Sequence, residues 1–152
     1  MKLAEALLER KNLNTRLDDL QSRAIQNARV QEGDAPAEDP TGLLRELSDV
    51  VTRMGTLISQ INATNNVTAL PNGVTVSNAI VQRDMLDLRY GALNYVLSQA
   101  AIRQDRATRT EIRFVSAVNV TELRREADEL ARARRELDAA IQSVNWTADL
   151  VE

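Results

Sequence analysis

Residues 119–144 read NVTELRREADELARARRELDAAIQSV, and this stretch decides the fold. Side chains that are mostly apolar recur along it at alternating steps of four and three residues. They are Leu123, Ala127, Leu130, Arg134, Leu137, Ile141 and Val144. Because an α-helix turns once in about 3.6 residues, this spacing places all of them on one stripe of a helix. The pattern therefore predicts a long helix that needs other helices beside it.

The same stretch begins with a helix start signal. Asn119 can cap the first turn, and Glu122 three residues later completes a capping-box pattern. Three other stretches repeat the rhythm of three and four, and they predict helices over 2–30, 41–62 and 77–103. Long helices of similar length favour an all-α fold, an antiparallel bundle or coiled coil. The first and last helices have the strictest seams and are the predicted coiled-coil pair.

Leucines and one isoleucine on these two helices form the predicted seam, which serves the bundle core or contacts between subunits. The seam residues are Leu13, Leu17, Leu20, Leu123, Leu130, Leu137 and Ile141. Two arginines, Arg10 and Arg134, fall inside the apolar stripes. Each either extends its guanidinium group to solvent or pairs with a carboxylate such as that of Glu5, Glu9 or Asp138.

The third predicted helix is apolar over an unusually broad face. Its stripe consists of Val81, Met85, Leu88, Ala92, Tyr95, Gln99 and Ile102. The residues that broaden this stripe are Ile80, Leu86, Leu93, Val96 and Leu97. A helix that is apolar on so much of its surface is typically buried from two sides. The pattern predicts that this helix lies in a bundle core or at an interface between subunits.

The connections between the helices are predicted to be short and mostly irregular. Gly33 and Pro36 end the first helix within a solvated acidic connector, and Asp39 before Pro40 is a good cap for the second helix. The connector lacks the acid spacing of a calcium loop.

Two other segments are predicted to be extended. β-Branched residues around Pro71-Asn72-Gly73 predict a small β-hairpin over 67–76, and Ser77 is the expected cap of the third helix. Residues 111–118 are rich in β-formers and are expected to pair with the hairpin. The whole chain, 1–152, is predicted to form one helical domain.

Composition restricts the chemistry. The chain contains no Cys and no His, so we expect no disulfide, no usual zinc site and no His-dependent catalysis. The net charge of −3 argues against a nucleic-acid partner. No stretch approaches the roughly 18 apolar residues of a membrane span, so no membrane partner is expected. Residues 1–11 do not resemble a signal peptide, and the cytoplasm is the expected location.

Two polar groups are candidate ligand sites. The first is an anion-binding patch of arginine forks at the end of the third helix, formed by Arg103, Arg106, Arg109, Glu111 and Arg113. Its alternative role is a salt-bridged joint between subunits or a solvated loop. The second group is Asn62, Thr64 and Asn65, which holds a ligand, shapes an oligomer pore or, more simply, caps the end of the second helix before the hairpin. No acid spacing marks a metal site, so no metal is predicted and the cofactor is unknown.

Several short stretches together resemble a known family. The stretches are MKLAEALL at 1–8, NARVQEGD at 27–34, INATN at 61–65, EIRFV at 111–115 and NWT at 145–147. They resemble a small family of uncharacterised bacterial proteins, common in actinobacteria and often labelled septicolysin. The resemblance covers essentially the whole chain. It implies an α-helical homo-oligomer and suggests a hexamer, and it implies no established activity, so no catalytic residue is carried over.

The leading functional hypothesis is a cytoplasmic helical scaffold or interaction protein that assembles with itself or a partner. The alternative is a ligand- or metal-dependent enzyme or binding protein whose site lies at a subunit interface. A thermal-shift screen over divalent cations and nucleotides separates them, because a ligand stabilises only a state that has a site for it. A third hypothesis, a coiled-coil arm that grips RNA, conflicts with the acidic balance.

Overall fold

The computed structural model describes residues 1–100 and 114–151. These residues form four helices, α1 (Leu3–Asn27), α2 (Pro40–Val67), α3 (Val76–Ala100) and α4 (Val120–Thr147). The same residues contain no β-strand, and the β-type backbone pairing among them is limited to two isolated bridges. The predicted all-α fold class is therefore confirmed.

The chain divides into two compact units. The first comprises Met1–Val76 and Gln142–Glu152, and the second comprises Ser77–Ile141. The first unit thus contains α1, α2 and the end of α4, whereas the second contains most of α3 and α4.

In the first unit, α1 and α2 lie antiparallel. Glu9, in the first half of α1, pairs with Arg53 in the middle of α2. Arg23, near the end of α1, pairs with Glu38, which lies just before α2 begins. The two helices therefore run in opposite directions. Two apolar clusters hold the helices together. One contains Leu3, Ala6, Leu57 and Ile61, and the other contains Leu20, Ala24 and Leu43. The helix that packs along α1 in this unit is α2. The pairing of the first helix with the last one stays a prediction.

The end of the chain also packs into this unit. The backbone N–H of Leu3 donates to the carbonyl of Ala148 at 3.0 Å, and the N–H of Leu150 donates to the carbonyl of Met1 at 2.9 Å. Ala148 and Leu150 pack against the cluster that contains Leu3. The two ends of the chain are therefore fixed to each other by backbone hydrogen bonds and apolar contacts.

Two predicted helix caps are confirmed. The carboxylate of Asp39 accepts hydrogen bonds from the N–H groups of Thr41 and Gly42, both at 3.0 Å. The side-chain oxygen of Asn119 accepts a hydrogen bond from the N–H of Glu122 at 3.1 Å. Each cap satisfies donors that the first helical turn leaves without an intrahelical partner.

Three helix ends differ from the predicted ones. The first helix ends at Asn27 instead of residue 30, α2 continues to Val67 instead of 62, and α4 continues to Thr147 instead of 144. The polar residues after Ile61 predicted a break because their helix propensity is low. Burial of side chains on the last two turns of α2 offsets that low propensity. The predicted end of the third helix at residue 103 lies outside the described residues.

The predicted hairpin over 67–76 does not form strands. Its first and last residues belong to α2 and α3, and the segment between them has one antiparallel bridge, between Ala69 and Thr75. The turn itself is as predicted: Gly73 has a φ of +84°, and its N–H donates to the carbonyl of Leu70 at 2.8 Å. Because α3 begins at Val76, Ser77 lies in its first turn and is not its cap.

The predicted extended segment over 111–118 is described only in part. Residues 111–113 lie outside the described residues, and residues 114–118 form neither a strand nor a bridge. The expected pairing of this segment with the hairpin is therefore not seen among the described residues.

In the second unit, α3 and α4 lie antiparallel. Arg83 contacts Asp138 at 3.2 Å, and Arg89 pairs with Glu126, so later residues of α3 meet earlier residues of α4. The predicted stripe of α4 faces inward along its whole length, because none of its seven residues is exposed. This stripe of α4 is therefore confirmed as a packing surface.

Candidate interaction surfaces

The predicted arginine patch lies outside the described residues. Its members are Arg103, Arg106, Arg109, Glu111 and Arg113. The prediction of an anion site there therefore stays a prediction.

The three residues of the second predicted polar group lie within α2 and face different directions. Thr64 is fully buried, Asn65 is half-buried and Asn62 is exposed. The Thr64 hydroxyl donates to the carbonyl of Gln60 at 2.8 Å and accepts from the N–H of Val151 at 2.9 Å. Because α2 continues past them, these residues do not end the helix, and the capping interpretation is wrong. Thr64 instead connects α2 to the end of the chain.

The predicted seam residues all contribute to packing within the chain. Leu20, Leu130 and Ile141 are buried. Four others are half-buried: Leu13, Leu17, Leu123 and Leu137. These side chains are thus at least partly packed inside the protein, and their role in contacts between subunits stays a prediction.

The two arginines inside the apolar stripes behave differently. The Nε atom of Arg134 lies 2.5 Å from Asp87 Oδ1, and because the N–H does not point at the oxygen, the contact is an ion pair without a directed hydrogen bond. Arg10 is exposed and has no ion pair with a described residue. Its nearest candidate partner, Glu9, binds Arg53 instead, at 2.8 Å. Arg134 is thus paired and Arg10 is solvated.

Ion pairs join α1 to α2 on one side of the first unit. The guanidinium group of Arg53 binds Glu9, that of Arg16 binds Glu46, and Arg23 forks onto Glu38. The hydrogen bond from Arg23 lowers the pKa of Glu38, and the same bond raises the pKa of Arg23. Solvent screens the attraction between exposed charges, so these pairs set the register of the helices more than they stabilise them.

A groove of about 550 Å³ lies in the second unit. Its charged lining residues are Arg89, Glu122, Arg125, Glu126 and Glu129. Each of these charges has an opposite charge within 4.0 Å. Three carboxylates and two guanidinium groups leave the groove with one excess negative charge, so it does not suit an anionic ligand. The described residues also include no group of three His, Cys, Asp or Glu side chains placed to hold a metal ion.

The outward face of α3 is the largest departure from the predicted packing. Its predicted stripe does not face α4. Val81, Met85, Leu88 and Tyr95 are between 54% and 69% exposed. The inward face consists instead of residues predicted only to broaden the stripe, and these are Ile80, Leu86, Leu93 and Leu97. The prediction that this helix is buried from two sides, in a bundle core or at an interface between subunits, is met on the α4 side. Burial of the exposed side stays a prediction.

The two apolar sides of α3 lie roughly opposite each other. Successive residues of a helix are about 100° apart, so the exposed stripe points away from Arg83, whose side chain reaches Asp138 on α4. The pKa of Arg83 is raised, chiefly by its hydrogen bond to Asp84, while partial burial opposes the shift. Arg83, Asp87 and Arg89 are thus held on the α4 side by ion pairs. On the outward side, Asp84 lies three residues after Val81 and four before Leu88, so one carboxylate borders the exposed stripe.

These features define the class of protein: an all-helical chain with an uncovered apolar helix face. The chain belongs to a family of unknown function, DUF6847, whose model matches residues 10–150. It is similar to a solved structure described as a functionally unknown conserved protein from Corynebacterium diphtheriae. That similarity has 39% sequence identity, a TM-score of 0.91 and coverage of 99% of both chains. No curated protein matches the chain. Among the described helices, none is both long enough and apolar enough to cross a membrane.

Proposed function

We propose that the protein is a helical scaffold that assembles with copies of itself, and that the outward face of α3 is one interface. The observation that carries this proposal is the exposure of the apolar stripe along α3. An α-helix whose whole circumference is apolar is usually buried on every side. In this chain α4 covers only one of those sides.

The amount of apolar surface on this face is enough to drive association. Burying a whole aliphatic side chain contributes about 1.5–3 kcal/mol, so burying the exposed part of each side chain here contributes about 1–2 kcal/mol. Two copies offer eight such side chains from Val81, Met85, Leu88 and Tyr95, about 8–16 kcal/mol as an upper limit. Association costs about 4–15 kcal/mol in lost freedom of motion. The whole stripe can offset that cost, whereas a single exposed leucine cannot.

A second copy of α3 in the antiparallel direction is a suitable partner for this face. With the helices centred near residue 90, Leu88 meets Ala92 of the partner subunit, and Met85 meets the partner's Tyr95. The first contact places a large side chain against a small one, and the second is a favourable contact between sulfur and an aromatic ring. Such an interface is isologous, because both copies contribute the same surface.

The resemblance described above supports the same proposal. It implies a homo-oligomer and suggests a hexamer, which is one of the closed forms that isologous contacts can generate. We propose a cytoplasmic location for the assembly. We propose no nucleic-acid or membrane partner.

The experiment that tests this proposal changes one residue of the outward face. We expect Leu88→Glu to lower the particle mass measured by light scattering coupled to size-exclusion chromatography, because it buries an unpaired charge in the interface. The matched control is Leu8→Glu, at a similarly exposed position on α1. Circular dichroism establishes that both variants remain helical. An unchanged mass for Leu88→Glu would exclude this face as an interface.

A further inference from the structure

We infer that α2 carries a second self-docking face, through which two copies of this chain pair with their α2 helices antiparallel. The inference rests on the proposed self-assembly and adds a distinct surface to it. This second surface, the α2 ridge, consists of Leu44, Ser48, Val51, Gly55, Ile58 and Asn62.

The two sides of α2 are unlike each other. On one side, Arg53 and Glu46 form ion pairs with α1. At about 100° per residue, the α2 ridge lies on the opposite side, and it contains no charged residue. Its three large side chains, Leu44, Val51 and Ile58, are 55%, 48% and 36% exposed. One side of α2 is thus held to α1 by ion pairs, and the opposite side is an exposed apolar ridge without charged residues.

Large and small residues alternate along the α2 ridge at steps of four and three. Leu44, Val51 and Ile58 are the large residues, and each is followed four positions later by a smaller or polar one, Ser48, Gly55 or Asn62. Steps of four and three are the spacing by which a side chain of one helix enters a gap between side chains of another. The α2 ridge therefore offers both the projecting side chains and the gaps that such packing requires.

No contact within the protomer explains why residue 55 is a glycine. It lies in the middle of a long helix, where glycine is unfavourable relative to alanine. A Cβ atom added there would meet nothing within 4 Å. Glycine is used where another backbone or side chain approaches closely. The open space above Gly55 is what an incoming side chain from a second copy would occupy.

An antiparallel second copy of the α2 ridge fits these gaps. In the register that centres the two helices near residue 53, Val51 meets Gly55 of the partner subunit, and Ser48 meets the partner's Ile58. Every large residue then faces a small or polar one. A parallel pairing in register would place large residues against large ones and Gly55 against the partner's Gly55, which leaves voids at the small positions.

The charges beside the α2 ridge are compatible with this antiparallel pairing. The flanking position nearest the twofold axis is Thr52, which is uncharged. Arg45 lies near the end of the paired segment, where it faces Ser59 of the partner subunit. No two like charges of α2 therefore meet across the centre of the contact. Arg10 and Lys11 of α1 line a groove with Ile58, so two positive charges also border the α2 ridge near one end.

Two different isologous faces on one chain have a consequence for the assembly. When every copy uses the α3 face once and the α2 ridge once, the two kinds of contact alternate along the assembly. Such an assembly closes only with an even number of copies, or it remains an open array. Disabling one face leaves dimers held by the other face, and disabling both leaves monomers.

The first test fills the gap at Gly55. Gly55→Leu favours the helix of the protomer but blocks the close approach of a second copy, so we expect the particle mass to fall to that of a dimer. The matched control, Thr56→Leu, adds the same side chain at an exposed position away from the α2 ridge and should leave the mass unchanged. Helical content that rises or stays equal in Gly55→Leu excludes misfolding as the cause. An unchanged mass for Gly55→Leu would overturn the inference.

The second test uses disulfide trapping, which is clean because the chain has no native cysteine. In the antiparallel register, a mixture of Ser48→Cys and Ile58→Cys should form a crosslinked dimer under mild oxidation. Ser48→Cys alone should not, because residue 48 and its copy lie ten residues apart along the contact, about 15 Å, too far for a disulfide. Efficient crosslinking of Ser48→Cys alone, or none in the mixture, would contradict the antiparallel pairing. The result of the Leu88→Glu experiment does not depend on the result of either test, because Leu88 lies on α3 and the ridge lies on α2.

Discussion

Replacing Thr64 with valine tests how the end of the chain is held to α2. Valine has nearly the same shape as threonine but lacks the hydroxyl group. Thr64 is fully buried, and its Oγ1 atom accepts a hydrogen bond from Val151 N at 2.9 Å. In Thr64→Val the N–H of Val151 loses its acceptor. The hydrogen bond from the Thr64 hydroxyl to the carbonyl of Gln60 is also lost, but there the donor itself has been removed.

The expected loss of stability follows from these contacts. A buried donor without a partner costs about 1–3 kcal/mol. Val151 is 41% exposed, so water reaches its N–H in part, and we expect the lower end of that range, about 1–1.5 kcal/mol. For a chain of this size, a loss of that magnitude lowers the melting temperature by about 2–6 °C.

The assay is urea unfolding followed by circular dichroism, at a fixed protein concentration because assembly changes apparent stability. The matched control is Thr56→Val, which removes an exposed hydroxyl that bonds only to the carbonyl of Thr52. Amide hydrogen exchange at Val151 should become faster in Thr64→Val alone. Equal stability of the two variants would refute the role assigned to Thr64.

Three further outcomes are expected. Asp39→Ala should destabilise the protein by about 0.5–2 kcal/mol through loss of the α2 cap, whereas Asp49→Ala, on the exposed surface of the same helix, should have little effect in thermal unfolding. Because pairing with Arg23 lowers the pKa of Glu38 in the folded state, the pair stabilises the protein above the ordinary carboxyl pKa, and this contribution is lost as the pH falls through the lowered pKa. Wild type and Glu38→Gln should therefore differ in melting temperature at neutral pH and converge in acid, and a constant difference would contradict this pH dependence. Asn145 is buried and its side-chain oxygen has no hydrogen-bond partner among the described residues, so Asn145→Leu should raise the free energy of unfolding by about 1 kcal/mol in urea titration, and a loss would show that the amide is needed.

The sequence predicted the helices well because their signals are local. The stripe of α4, its Asn119 cap and the Asp39 cap of α2 each depend on residues within a few turns, and the structure confirms them. The polar residues after Ile61 suggested an end to α2 that tertiary burial overrides. Propensity is a weak guide wherever a side chain such as Thr64 finds a buried partner distant in sequence.

The inner face of α3 could not be assigned from the sequence. Two stripes of this helix have similar apolar content, one through Leu88 and one through Leu86 and Leu93. The orientation of α3 depends on contacts with α4, such as the ion pairs from Arg83 to Asp138 and from Asp87 to Arg134. Those pairs join residues about fifty positions apart, a separation that helical periodicity does not address.

The α2 ridge is visible in the sequence as a seven-residue repeat. Leu44, Val51 and Ile58 recur every seven residues along the second predicted helix. Seven-residue spacing is typical of a helix that pairs with a partner, and a mid-helix glycine such as Gly55 is a further signal of close approach. The structure adds the fact that this row is uncovered.

The central claim is that this chain functions as an assembly of identical copies. Sedimentation equilibrium of the unmodified protein over a range of micromolar concentrations measures this most directly, because it reports mass without regard to shape. We predict a particle whose mass is an even multiple of the 16.9 kDa chain. A constant mass of 16.9 kDa across the whole range would contradict the claim.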